Sequence, residues 1–225
     1  MSRLALAAAL LAAGGVVGCT AVQGSAGAPP DEPSEAIPLP SSGELEPGTY
    51  LVTGYAVPFE ITVPDGWESF GWGVLKANAE EWEVFVNFLE PDRVATDGCA
   101  WRGTLVEIEP TPEAYAAAMA AQTSTETTSP VEITMGEYVG LEFQYSVEED
   151  VDITECTVDH ICLFANVGDS DCGRVYSEVT EQETERIIDL EGQLTMFAVG
   201  EFQPVDPSLT DEAQAVFDSI TFVSD

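Results

Sequence analysis

"PGTYLVTGYAVPFEITVPDGW", Pro47–Trp67, carries the first readable structure in the chain. Within it, Thr49 to Thr53 and Phe59 to Val63 are short runs rich in β-branched and aromatic residues. Pro58 separates them, and Pro64-Asp65-Gly66 closes the second. Such runs bounded by turn residues predict two strands. Working outward, Trp67 to Lys76 and Trp82 to Leu89 predict the next two, joined by a turn over Asn78 to Glu81. In the second of these, Val84, Val86 and Phe88 alternate with Phe85, Asn87 and Leu89. Both faces are partly apolar, so the strand is expected to be covered on both sides.

Two helices interrupt the strands. Thr111-Pro112-Glu113 has the order of an N-cap, a first-turn proline and an acid at the positive end of the helix dipole. "EAYAAAMAAQ" follows, rich in strong helix formers. The helix is expected to dissolve in Thr123 to Ser129. Val131 to Met135 and Tyr138 to Val147 predict a hairpin with one wet face, and Arg186 to Leu190 with Leu194 to Val199 a second, turning at Glu191-Gly192. Cys156 to Cys172 reads as a loop-rich excursion, and Gly173 to Val179 as a strand. A last helix, capped by Ser208 or Thr210, presents Ala213, Val216, Phe217 and Ile220 at helical spacing, and Ile220 to Val223 adds a final strand. Strands, a helix, more strands and a closing helix make the fold class α+β. The expected form is one antiparallel sheet with two main helices packed on it, in a single domain over 48–225.

Ahead of that domain the sequence changes character. Arg3 is followed by Leu4 to Val17, an unbroken run of Leu, Ala, Val and Gly. The run falls short of the roughly 20 residues that a membrane-spanning helix needs and has the length of a secretory signal core. Residues 19–47 are mostly Ala, Gly, Pro, Ser, Asp and Glu, too poor in apolar bulk to offset ordering entropy, and predict a flexible linker.

The chain has 41 acidic residues and six basic ones, with a pI near 4.1. Losing residues 1–18 leaves five basic residues against 41 acidic ones, a net charge of -36. That surface repels phosphates and argues against nucleic-acid binding. The acids are scattered through the domain, as on a solvated face.

Chemistry-bearing motifs are sparse. His160 is the single histidine, and no G-x-S-x-G, P-loop, dinucleotide fingerprint or HEXXH is present. No catalytic residue and no cofactor is assigned. Asp169 and Asp171 offer hard oxygen ligands and are calcium candidates, as are Glu148, Glu149, Asp150 and Asp152. Residue 174 is Arg and residue 180 is Thr, which breaks an EF-hand pattern starting at Asp169. Cys99, Cys156, Cys162 and Cys172 form an even set, expected as two disulfides in an exported domain, with a zinc site as the competing reading. Four cysteines allow three pairings. A turn at Gly168, Asp169 and Gly173 favours Cys162–Cys172, leaving Cys99–Cys156. Among four tryptophans, Trp67 and Trp82 read as core, and Trp72, between Gly71 and Gly73, as exposed.

Two resemblances add to this. Val16-Val17-Gly18-Cys19 resembles the lipobox of bacterial lipoproteins. That resemblance implies cleavage after Gly18, a diacylglycerol group on Cys19, and a chain held at the outer side of the cell membrane. Pro47–Trp67, Cys99-Ala100-Trp101, Tyr138-Val139-Gly140, "RIIDLEG" and "AVFDSITF" together resemble a group of bacterial, often actinobacterial, lipoproteins with a PsbP-like layout. The Cys162/Cys172 pair and the acidity depart from that group. The resemblance implies an extracytoplasmic binding or assembly module. A secreted carboxylate-dependent hydrolase and a purely structural envelope protein are the alternatives.

Overall fold

The computed structural model describes residues 36–78, 81–168 and 171–223. Cys19 and the signal-like run lie outside them. The described chain is mixed α+β, built from antiparallel sheets and two helices. The largest sheet runs in the order Thr125–Thr127, Tyr138–Val147, Glu181–Leu190, Gln193–Phe202, Glu81–Leu89, Gly73–Asn78, Glu68–Ser69, Gly43–Glu44. Val131–Met135 also pairs with Tyr138–Val147, Met135 opposite Tyr138.

Its spine is the hairpin Glu181–Leu190 and Gln193–Phe202, paired from Glu181↔Phe202 to Leu190↔Gln193. Glu191 and Gly192 have φ of 57° and 92°, the left-handed pair a two-residue hairpin turn requires. The Asp189 carboxylate accepts the Gly192 N–H at 2.6 Å. Both strands extend well beyond the spans expected from sequence.

Two smaller sheets complete the fold. One holds Ile37–Pro38, Gly48–Val52, Phe59–Val63 and Thr221–Phe222. The other holds Arg174–Tyr176, Ile161–Asn166, Pro91–Ala95 and Leu105–Glu107. The chain passes into this second small sheet straight from Glu81–Leu89, with only Glu90 between the two strands.

Helix α1, Pro112–Ala121, starts at Thr111, whose hydroxyl accepts the Ala114 N–H at 3.2 Å. It buries Tyr115, Ala116 and Met119. Helix α2, Pro207–Asp218, buries Ala213, Val216 and Phe217. Its N-cap is Asp206, not Ser208 or Thr210. The Asp206 carboxylate accepts the Ser208 N–H at 2.9 Å, and Pro207 occupies the first turn, where its missing N–H costs nothing.

Two apolar clusters lie on opposite faces of the large sheet, because successive strand side chains alternate in direction. One contains Phe59, Trp67, Phe88, Ile188, Phe197 and Phe217. The other contains Tyr115, Phe143, Tyr145, Phe164, Ile187 and Met196. Glu81–Leu89 contributes to both (Phe88 to the first, Leu89 to the second) and is covered on both sides.

Three local expectations are corrected. Structure begins before residue 48: Ile37–Pro38 lies parallel to Gly48–Val52, Leu39 N–H donates to Leu51 O at 2.9 Å, and Leu45 is buried. Leu39 and Leu45 are apolar anchors that the average composition of 19–47 conceals. Thr125–Thr127 is a strand against Tyr145–Val147, not a loop. Ile161–Asn166, expected in a loop-rich excursion, is a strand whose first five residues are buried. Its apolar run fits a strand with no solvent face.

Candidate functional site

Trp72 is presented by a break in a strand. The single strand expected over Trp67 to Lys76 is divided into Glu68–Ser69 and Gly73–Asn78, and Gly71 between them has φ 95°. A Cβ on Gly73 would meet Val86 O at 2.5 Å and the Phe70 ring at 2.6 Å, so only glycine lets the chain approach there. Phe70 then meets the indole edge to face at 4.5 Å. Trp72 is left 39% exposed. Trp67 is fully buried and donates its indole N–H to Glu212 of α2 at 2.7 Å. The Trp82 side chain lies outside the described ones.

Beside Trp72 opens a cleft of about 630 Å³. Phe202 and Pro204 give it an apolar wall, Glu83 and Glu178 stand on it, and Arg174 and Glu181 reach it from the interior. The last two belong to a buried ionic row. Glu181, Glu183 and Glu185 alternate along one strand, so all three point to one face, and each is at most 2% exposed. Arg174 comes from the facing small sheet. Its Nη2 donates to both Glu181 and Glu183, and its Nη1 to Val175 O at 2.7 Å. The guanidinium lies 5.3 Å from the Phe85 ring centroid and 5.1 Å from that of Tyr176. Phe85 has its place because residue 200 is glycine: a Cβ there would meet the ring at 2.1 Å.

Glu185, next in the row, is held by Tyr115 of α1, whose hydroxyl donates to Oε2 at 2.9 Å. Among the described residues, its Oε1 and the Arg174 Nε have no hydrogen-bond partner. One cation therefore serves three buried carboxyls. Burial pushes Glu185 up to about 8, reinforced by the charge of Glu183. Burial likewise pushes Glu181 up to about 8 against the opposing pull of Arg174. Glu183 is raised, again by burial first. Losing solvent disfavours the ionised form, and a single guanidinium does not restore it at three sites.

Gln122, at the C-terminus of α1, ties the row's surroundings together. Its amide nitrogen donates to Ala95 O at 2.7 Å and Leu163 O at 2.9 Å. Its carbonyl accepts the Tyr145 hydroxyl. Tyr145 is itself buried.

The residues singled out from sequence are placed as follows. Cys99 bonds Cys156 and Cys162 bonds Cys172. His160 turns its Nδ1 to its own loop, at Val158 O, and does not line the cleft. Asp169 lies outside the described residues, and the Asp171 carboxylate accepts the Cys172 N–H at 3.0 Å. Asp152 caps the short turn Ile153–Glu155 by accepting the Thr154 N–H at 3.0 Å. Among the described residues, no three His, Cys, Asp or Glu side chains converge as metal ligands do. Also among them, no helix is long and apolar enough to cross a membrane.

The ionic row was missed by sequence reasoning. The available signal was Arg174 itself, one of six basic residues, placed in the β-type run Gly173 to Val179.

No protein-family model matches the chain, and no curated relative matches it. Solved structures similar in outline include the following three. Cyanobacterial PsbP (CyanoP) of Synechocystis is 12% identical, with a TM-score of 0.41, over 80% of this chain and 95% of that one. LpqN, involved in cell envelope biogenesis of Mycobacterium tuberculosis, is 9% identical, with a TM-score of 0.35, over 81% and 91%. A protein of Bacteroides thetaiotaomicron is 9% identical, with a TM-score of 0.38; this chain spans 80% of itself and half of that protein. At such scores they supply no residue correspondence.

Proposed function

We propose that this chain is a lipid-anchored, extracytoplasmic binding module whose ligand site is the cleft beside Trp72. Its helices pack on the sheet in a PsbP-like layout. Residues 1–18 act as the signal, Cys19 carries the lipid, and a short linker holds the domain clear of the membrane. The acidic surface is repelled by anionic headgroups, so retention at the membrane falls to the anchor. The observation that carries the binding reading is the cleft itself. It joins a half-exposed indole, an apolar wall and a small number of fixed polar groups, the composition typical of ligand sites.

The reading is non-catalytic because the cleft's interior polar groups are engaged with their neighbours: Arg174 donates to Glu181 and to Glu183 behind it. The carboxylate-hydrolase alternative draws on Glu181, which lines the cleft and is raised to about 8, the range of a general acid. In that case Glu181→Gln abolishes turnover and leaves binding in place.

Two measurements test the proposal. Cys19→Ala releases the protein from detergent-free membranes; continued membrane association contradicts the anchor. Native mass spectrometry of the protein purified from its own envelope finds a bound species on the wild type that is missing from Trp72→Ala. Identical spectra contradict the cleft.

A further inference from the structure

We propose that the Trp72 cleft is built for an organic ammonium group that carries an acceptor oxygen, the chemistry of an amino alcohol. This rests on the reading of the cleft as the ligand site and adds what the ligand must be.

The charges lining the cleft are unequal. Glu83 and Glu178 line it beside the single guanidinium of Arg174. Arg174 is committed inward, to Glu181 and Glu183. Among the described residues, no Lys or Arg pairs with Glu83 or Glu178. An anionic ligand entering the cleft meets these two carboxylates and, before them, the field of a strongly acidic protein. A cation gains from both, since such a field raises its local concentration.

The aromatic lining favours the same sign. An indole face attracts a cation through the ring quadrupole, and quaternary ammonium ligands are bound in this way. Trp72 offers that face with its ring fixed by Phe70, so little side-chain freedom is lost on binding. Phe202 and Pro204 suit the apolar methylene or methyl groups around the nitrogen.

The acceptor oxygen follows from the floor. Arg174 is 7% exposed, and among the described residues its Nε–H has no acceptor. A buried donor without a partner costs free energy, and a ligand oxygen that accepts from it removes that cost. This places the ammonium outward against Trp72, Glu83 and Glu178, with the oxygen inward toward Arg174.

Isothermal titration of the folded domain with choline, tetramethylammonium and glucose tests this. Choline is expected to bind, tetramethylammonium several-fold more weakly for want of the oxygen, and glucose not at all. Added salt weakens choline binding. Trp72→Ala weakens it at least tenfold, and the double variant Glu83→Gln/Glu178→Gln weakens it several-fold, with circular dichroism of both unchanged. Glucose binding that depends on Trp72 overturns the ammonium assignment and leaves the cleft as the ligand site. Choline binding that survives Trp72→Ala overturns both. Absence of binding by choline and tetramethylammonium at millimolar concentration, or insensitivity to the double variant, overturns the ammonium assignment.

Discussion

Strand Glu181–Leu190 sends Glu181, Glu183, Glu185 and Ile187 to one face of the large sheet and Gln182, Thr184, Arg186 and Ile188 to the other. Each face holds an arginine, and the two are treated differently. Arg186 lies over the Phe217 ring at 4.1 Å, with Glu142 and Asp218 each at 2.8 Å. Its side chain and those of its partners keep some solvent. Arg174 is buried, among carboxyls it does not fully balance. Beyond Arg186, the first face is filled by aromatic packing: Phe59 meets Phe88 and Phe197, both at 5.1 Å. That aromatic packing contributes stability without a titrating group. The second keeps ionisable groups in a dry place beside an open cleft, an arrangement that costs stability and is more often found where a protein does chemistry or binds.

The most damaging substitutions separate the two faces by pH. Phe59→Ala leaves a cavity and costs about 3–5 kcal/mol, equally at pH 5 and pH 9. Arg174→Met removes the cation that pulls Glu181 and Glu183 down, so the variant holds their protons where the wild type begins to ionise, and it costs about 3–5 kcal/mol above pH 8. At pH 5 Glu181 is protonated with or without Arg174, and the loss shrinks. Urea unfolding at pH 5 and pH 9 checks the pair; a pH-independent loss for Arg174→Met breaks the distinction.

Glu185→Gln is expected to stabilise the protein at high pH. Unfolded, Glu185 releases its proton near 4.5; folded, it holds it up to about 8. The folded state binds more protons between those values, so wild-type stability falls as pH rises through that window. The glutamine variant flattens this slope, and thermal unfolding from pH 5 to 9 reads it. An unchanged slope places the titration elsewhere.

Replacing Cys162 and Cys172 by serine opens a bridge across 10 residues and costs about 3 kcal/mol. Because the bridge sits next to Arg174–Tyr176, hydrogen exchange should quicken there and not at Phe59–Val63. Smallest is Asp206→Ala, which removes the cap of α2 and lowers the melting temperature slightly. Its carboxyl is held below the usual range by the Ser208 N–H. That contribution is present above the unfolded pKa and lost as pH falls through the folded one.

Much of the first face was legible in the sequence. Phe59 to Val63 and the Ala213, Val216, Phe217 stripe follow a clear period, and period reports burial directly. The second face was not. Glu181-Gln182-Glu183-Thr184-Glu185 has strand alternation but only polar side chains, so it reads as a solvated acidic run. Its burial depends on Arg174 and Tyr115, which are distant in sequence or in another element. Trp72 stood out because Gly71 and Gly73 flank it, yet the wall and floor opposite come from residues beyond 170. The start of the fold at Ile37 was hidden by the prolines and acids around Leu39 and Leu45.

The central claim is that a row of carboxyls keeps its protons in a dry interior next to the Trp72 cleft. Carbon-13 NMR of the glutamate carboxyls, followed from pH 4 to pH 10 with the Trp72 indole signal, tests it most directly. The account predicts that Glu185 and Glu181 titrate near pH 8, and that the indole signal shifts with Glu181. Titration of Glu181, Glu183 and Glu185 all below pH 5, with a silent indole, would contradict it.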